Sequence, residues 1–187
     1  APNGSAQRLL MLGALEGAAL APQSVTGVEL HGTGTPLGDP TEVGALVGVF
    51  GPARSALLAI SAAKGNVGHS EPVSGLLGLA KVELQLRLGS WYGNAQLRVV
   101  NSLLVERFGA RSALYALPTH AAAASTVADA ATGLSSFGYS GTIAHLVLMG
   151  TPDNALASVP RARVALGCFI HRRFAWVNKA PPRARYG

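Results

Sequence analysis

Two histidines stand in matching, glycine-rich settings. His31 opens the stretch HGTGTPLGDPTE, which ends at Glu42, and His69 lies in KGNVGHSEPVSG, from Lys64 to Gly75. Glycine beside an imidazole lets backbone turn sharply or approach a ligand closely. His69 also stands just before an expected helix N-terminus, whose positive end favours a neutral imidazole and developing negative charge nearby. His31 alone reads as a loop histidine satisfied by backbone, whereas two rings in matching settings point to a paired donor site for an oxyanion or enolate, which requires the imidazoles to lie within about 10 Å of each other. Lys64 precedes His69 in the same loop. It reads either as a surface lysine or, if the loop folds inward, as a cation that holds a carboxylate or orients the histidines.

A third stretch, SSFGYSGT from Ser135 to Thr142, opens an apolar strand. Its turn either aims the Tyr139 N–H into a site or makes an ordinary hairpin. Asp39 and Glu42 read as capping residues, with Asp39 at N-cap, Pro40 at N1 and Glu42 at N3 of a capping box. His120 and His145 lack the glycine setting, and His145, inside TIAHLVLM, reads as a packed or edge residue. Cys168, in ALGCFIHRRF, reads as a packing residue, although His171, Arg172 and Arg173 beside it would lower a thiol pKa. No Cys/His cluster has zinc spacing, so no metal site is expected.

The elements that must position these residues alternate between strand and helix. Asn3 or Ser5 can cap a helix over 6–20, with Leu9, Leu12, Leu15 and Ala19 near one face and Pro22 ending it. Residues 25–30 read as a buried strand that delivers His31, and 57–61 as a second that leads into Lys64. Between them a helix covers 41–50 and stops at Gly51-Pro52. Ser70 can cap a helix over 71–88, with Pro72 in its first turn and Gly89 at C′. Residues 89–111 read as loop with one short helix, 113–117 as a strand, and 120–131 as ambiguous. Two strands, 133–137 and 142–149, meet through the turn YSG. This alternation predicts an α/β layered fold with the histidines at strand C-terminal ends, where open α/β sheets place ligands.

Composition narrows the class. Of 187 residues, 49% are apolar and 13% charged, which supports a large core rather than disorder. No apolar run is long enough for a membrane span, and no secretory signal precedes the first helix. The net charge of +6 is a property of the tail: from Arg161 onward there are seven Lys/Arg and no acid, while the preceding residues sum to −1. A nucleic-acid binder needs a basic face with a recognisable motif, and none is present. The tail reads as a solvated or loosely docked linker. One cysteine excludes an internal disulfide, so a reducing, cytoplasmic compartment is the default, with an organelle as the alternative.

HGTGTPLGDPTEVGAL, KGNVGHSEPVSGLLGLAK and GLSSFGYSGTIAHLVL resemble, in order and spacing, the three C-terminal signatures of β-ketoacyl synthases of the polyketide and fatty-acid type. GNAQLRVVN and HRRFAWV resemble that family's connecting loop and post-synthase linker. The resemblance implies a thiolase-like α/β fold. Residues 1–150 would form its C-terminal half, a sheet flanked by helices within a five-layered αβαβα body, and 151–187 the linker. It implies catalytic roles for His31, His69 and Lys64 in binding a malonyl thioester carbonyl and stabilising the enolate left by loss of carbon dioxide. Thr33, Thr35, Gly138, Tyr139, Ser140 and Gly141 would form the substrate-binding and oxyanion loops, with Tyr139 as the gating aromatic. A pair of histidines marks the decarboxylating class, and no second catalytic cysteine of a degradative thiolase precedes Cys168. Ile143 stands where the family's SGTNAH has asparagine, which removes a polar loop-bracing side chain. No cofactor is implied. The substrate would arrive on the phosphopantetheine of an acyl carrier protein, and the other partners would be the N-terminal half, which carries the nucleophilic cysteine, and a second copy in a homodimer.

Two readings therefore stand: the acceptor half of a condensing enzyme, or a non-catalytic dimerisation or carrier-docking relative. Under either half-domain reading the isolated chain is expected to be inactive in condensation and to expose an apolar layer. A monodisperse, cooperatively melting monomer with little dye-accessible apolar surface would count against both.

Overall fold

The structure, a computed structural model, describes residues 2–123 and 131–150. The basic tail, with Cys168, His171, Arg172 and Arg173, lies outside the described residues, as does most of the ambiguous stretch before Ala131. The elements are α1 (Gly4–Gly17), β1 (Val25–Glu29), α2 (Gly38–Phe50), β2 (Leu58–Ser61), α3 (Lys64–Val67), α4 (Ser74–Leu88), β3 (Ser90–Trp91), α5 (Ser102–Phe108), β4 (Tyr115–Ala116), β5 (Ala122–Ala123), β6 (Ala131–Phe137) and β7 (Ile143–Met149). One sheet has the order β4-β2-β1-β6-β7. Its first four strands are parallel, and β7 runs antiparallel to β6. β3 and β5 form a small separate ladder.

The parallel arrangement brings the C-terminal ends of β1, β2 and β6 to one end of the sheet. β1 delivers His31 there, β2 leads into Lys64, and β6 ends at Phe137. Side chains alternate between faces along each strand. Val28, Leu58 and Ile60 point to one face and join Met11, Leu15, Val43, Leu46, Phe50 and Phe108 in the apolar core under α1, α2 and α5. Glu29, Ser61 and Leu134 point to the other face, toward α4. Gly78 allows α4 to approach closely, since a Cβ there would stand 2.8 Å from Leu134 Cδ1 and 3.5 Å from Glu29 Cγ.

Helix α1 starts as expected: Asn3 Oδ1 accepts the Ala6 N–H at 3.1 Å. Its buried face differs. Gln7, Met11 and Leu15 point inward, whereas Leu9 is 71% exposed and Leu12 39%. Leucine and alanine surround this helix, so periodicity alone did not choose the stripe. It ends at Gly17, and Pro22 instead begins a short 3-10 turn. The helix after His69 begins at Ser74 rather than Glu71; a 3-10 turn occupies Glu71–Val73, and Ser70 makes no cap. Gly89 closes that helix in the left-handed conformation, φ +58°, as expected.

Asp39 and Glu42 are not caps. Helix α2 starts at Gly38 with Leu37 at N-cap and no side-chain cap. Both carboxylates reach back into the loop before the helix, as described below.

Arg54 fastens the far end of the sheet. Its side chain, 5% exposed, donates to the carbonyls of Phe50 (3.0 Å), Pro22 (2.8 Å) and Val25 (2.8 Å). The guanidinium fork thus joins the C-terminus of α2 to the start of β1. Arg54→Ala leaves those buried carbonyls unpaired and is expected to cost about 3 kcal/mol, roughly 5–10 °C in melting temperature. A thermal melt of the variant against wild type checks it; a loss under about 1 kcal/mol would mean that water replaces the fork.

Candidate functional site

The loop after β1 turns at Gly32, φ +48°, where a Cβ would stand 2.6 Å from Ala62 Cβ. Only glycine fits that close crossing of two strand ends. Glu42, 2% exposed, clamps the turn: its two carboxylate oxygens accept the His31 N–H at 2.8 Å and the Gly32 N–H at 3.0 Å. Asp39 accepts the Gly34 N–H at 3.1 Å. The Thr33 and Thr35 hydroxyls bond each other at 3.1 Å, and Thr35 accepts the Gly38 N–H at 3.1 Å. These threonines brace the loop.

The second loop is held from β1. Glu29, 1% exposed, accepts the Ala63 N–H, the Ser61 hydroxyl at 2.7 Å and the Lys81 ammonium at 2.7 Å. Asn94 adds a brace, accepting the Ala62 N–H at 2.9 Å and donating to the carbonyls of Ile60 and Pro118 at 3.1 Å each. Asn66 ties α3 to the same outer loop through Gly93 and Ala95. Neither Glu29, Lys81 nor the asparagines were singled out from the sequence. The available signal was one acid in an apolar strand and one lysine in an apolar helix, each a costly burial unless paired.

These supports bring His31 and His69 together. Their ring centroids are 5.7 Å apart and the planes are nearly perpendicular, at 84°. His31 Nδ1 faces the Lys64 ammonium at 3.3 Å and accepts the Phe137 N–H at 3.3 Å. His69 Nδ1 accepts the Glu71 N–H at 3.0 Å. Glu71 holds φ +50°, a strained value for a non-glycine residue. With Nδ1 occupied as an acceptor, each neutral ring carries its proton on Nε2. Burial, then the Lys64 charge, then His69 push the His31 pKa down to about 4, so this ring is neutral at physiological pH.

Burial lowers the Lys64 pKa, while Glu42, Glu29 and Asp39 pull it up. Burial raises Asp39, and pushes Glu42 up to about 7 despite its two N–H donors. The chemistry on offer is two imidazole donors and one partly desolvated cation at the mouth of a sheet. Among the described residues, no His, Cys, Asp or Glu set converges as metal ligands.

The glycine-rich turn after β6 closes through backbone: Gly138 N–H to Thr142 O at 2.7 Å and Gly141 N–H to Gly138 O at 3.2 Å. Ile143 takes its place in β7 without a polar brace. The Tyr139 ring is fully exposed at the tip beside Ser140. The aromatic that meets His31 is Phe137, at 5.3 Å between centroids, a residue the sequence reading passed over. His145 is buried in β7, bonded through Nδ1 to Ser135 at 3.0 Å, and burial pushes its pKa down to about 4. It faces the core, away from the histidine pair. His120 bonds its neighbour Thr119 and is exposed.

Comparison with known proteins agrees with this architecture. The sequence profile of the family described as "Beta-ketoacyl synthase, C-terminal domain" matches residues 1–98. The chain is 38% identical over 196 residues to the polyketide synthase ThaG of Burkholderia thailandensis, an alignment that covers 100% of the chain and 4% of ThaG. It is 40% identical to the 5-methyl-1-naphthoate synthase of Streptomyces sahachiroi, covering 89% of the chain and 9% of that enzyme. Among solved structures, the oxazolomycin ketosynthase domain OzmH KS7 of Streptomyces albus JA3453 superposes with a TM-score of 0.73 at 31% identity, covering 81% of the chain and 27% of that domain. The α/β fold is thus thiolase-like, as the resemblance implied, and the chain spans a small part of each relative.

The shifted groups around the site oppose one another in their effect on stability. Between pH 4.5 and about 7, folded Glu42 retains a proton that the unfolded chain has lost, so its contribution falls as pH rises. His31 and His145, about 4 when folded against 6.5, act the other way: the unfolded chain takes protons the folded one refuses, so stability rises with pH from about 4 to 6.5. Glu42→Gln removes the falling contribution. Stability measured from about pH 4.5 to 6.5 should therefore climb more steeply in the variant, by up to about 1.4 kcal/mol per pH unit. Parallel slopes in variant and wild type would show that Glu42 is ionised throughout.

Proposed function

The chain belongs to the β-ketoacyl synthase family, as its C-terminal domain, and on that premise we propose that it is the decarboxylating half of a polyketide-type ketosynthase. The reaction is a decarboxylative Claisen condensation, an acyl transfer to carbon. The carbon–carbon bond of a malonyl-type thioester breaks, carbon dioxide leaves, and the bonding pair forms an enolate. The enolate carbon attacks an acyl thioester on a cysteine of the N-terminal half, and the thiolate departs. The observation that carries the reading is the pair of imidazoles 5.7 Å apart, each with Nδ1 engaged and, among the described residues, no partner on Nε2. Both donors can reach one thioester oxygen, where the enolate charge develops.

The remaining residues take supporting roles. Lys64, together with the Phe137 N–H, holds His31 in the donating tautomer. Thr33 and Thr35 shape the loop under His31. The turn from Gly138 to Gly141 presents the Tyr139 N–H to the acyl thioester oxygen, and the Tyr139 ring, exposed in this chain, gates the acyl channel against the N-terminal half. Helix α4 turns Leu76, Leu84 and Leu88 outward, each at least 50% exposed, as is Val73 just before it, which supports a covering layer supplied by that half. An acyl carrier protein delivers the malonyl group on phosphopantetheine, and the assembled synthase is a homodimer.

In the complete synthase, His69→Ala should lower carbon dioxide release from a malonyl thioester by about a hundred- to a thousand-fold, the usual loss for one preorganised donor. Acyl loading of the cysteine should survive, because it needs a thiolate and an oxyanion hole but not the His69 ring. The two steps are followed separately, by carbon dioxide release and by acyl-enzyme mass. Undiminished release with lost acylation would overturn the assignment; wild-type rates of both would favour a carrier-docking module without catalysis.

A further inference from the structure

We propose that Lys81 is a positioning residue for the histidine pair: by occupying the Glu29 carboxylate it keeps the Lys64 ammonium on His31 Nδ1. The inference rests on the role given to His31 above. Lys64 sits in the attraction of three carboxylates, Glu42 and Asp39 from α2 and Glu29 from β1, with His31 and His69 as its other titratable neighbours. Its hydrogen bond nevertheless goes to the neutral nitrogen of His31 at 3.3 Å. In a partly desolvated site an ammonium prefers a carboxylate to an imidazole lone pair, because the charge–charge attraction is larger. The structure shows why that preference is not satisfied.

Each carboxylate is already engaged. Glu42 commits both oxygens to the His31 and Gly32 N–H groups, and Asp39 accepts Gly34. Glu29 accepts Ala63 and Ser61, and among the described residues it alone of the three is ion-paired, to Lys81 at 2.7 Å. The pair is enclosed, with side chains 11% and 1% exposed, and Gly78 one turn earlier on α4 provides the close approach that lets Lys81 arrive. Without Lys81, Glu29 becomes a buried charge with no partner. Among the described residues, the cation left within its attraction is Lys64. Capture of Lys64 by Glu29 would strip His31 Nδ1 of its charged donor and leave the Phe137 N–H as the partner that remains on that nitrogen.

The test uses the complete synthase as wild type, Lys81→Met, and the double variant Glu29→Gln/Lys81→Met, in which the substituted amide retains an acceptor for the Ala63 N–H but no charge. Diethyl pyrocarbonate modifies only unprotonated imidazole, so labelling of the His31 peptide between pH 4 and 7, read by mass spectrometry, follows the charge beside that ring. The midpoint should lie near 4 in wild type. It should rise by about one unit in Lys81→Met, as the depressing Lys64 charge withdraws, and return in the double variant. Carbon dioxide release should fall at least about tenfold in the single variant and recover to within about threefold in the double. A pair that merely holds the fold would give a double variant no better than the single. An unmoved midpoint in Lys81→Met, or one that the double variant fails to restore, overturns the proposal. Should Lys81→Met unfold, Lys81→Gln carries the same expectations. If wild type releases no carbon dioxide but the labelling pattern holds, the proposed reaction fails and the role of Lys81 stands.

Discussion

Glycine-rich loops have few side chains with which to hold themselves, and this site is built almost wholly from such loops. What fixes them is carboxylate accepting backbone N–H. Glu42 reaches back to His31 and Gly32, Asp39 to Gly34, and Glu29 across to Ala63. Charged acceptors form stronger hydrogen bonds than neutral ones, and their loss exposes a desolvated charge, so the arrangement is costly to distort. The cost is visible in Glu42, whose burial pushes its pKa up to about 7 despite its two N–H donors and the Lys64 charge. Glu29, by contrast, is ion-paired to Lys81 at 2.7 Å. The positions of both histidines follow from these contacts, because the clamped amides are those of His31 itself and of the residue before Lys64.

The same contacts explain what the sequence could and could not disclose. The five strands of the main sheet, the turn YSG and the pairing of His31 with His69 were legible, since short apolar runs ending in glycine and histidine leave few other readings in an α/β chain, whereas the two-residue strands β3 and β5 were not. The role of Asp39 and Glu42 was not. An acid at the start of a helix satisfies a local capping pattern and a reach into the preceding loop equally well, and only the loop's path decides. Glu29 and Lys81 are 52 positions apart and meet only because α4 crosses β1 at Gly78. The inward face of α1 was hidden for the opposite reason: apolar residues on every side leave no unique stripe. Phe137 rather than Tyr139 meets His31 because the strand continues to Phe137 before the chain turns.

The two faces of the sheet divide the work. Under α1, α2 and α5 the core is apolar and fully buried at Met11, Leu46, Phe50 and Ile60. Under α4 the sheet presents Glu29, Ser61 and Thr132 beside a single buried leucine, Leu134. A polar layer beneath a helix stabilises less than an apolar one of equal area. Here that layer sits directly behind the histidines, so the polar face secures position where the apolar face supplies stability. The placement accords with functional groups set at the C-terminal edge of parallel strands on a rigid scaffold.

The protonation state of the pair decides what it can stabilise. A malonyl thioester brings a negative charge on its carboxylate, and decarboxylation moves that charge to the thioester oxygen. A cation placed at the carboxylate would stabilise the starting state as much as the transition state and would not raise the rate. Donors at the thioester oxygen act only as the charge arrives there. Neutral imidazoles suit this task, because they donate through Nε2–H without offering a proton acidic enough to quench the enolate. His31 is kept neutral by burial and by Lys64. Lys64 in turn lies behind the ring, on Nδ1, rather than beside the donor. Its hydrogen bond, with that of the Phe137 N–H, places the His31 proton on Nε2, the donor that the proposed reaction requires.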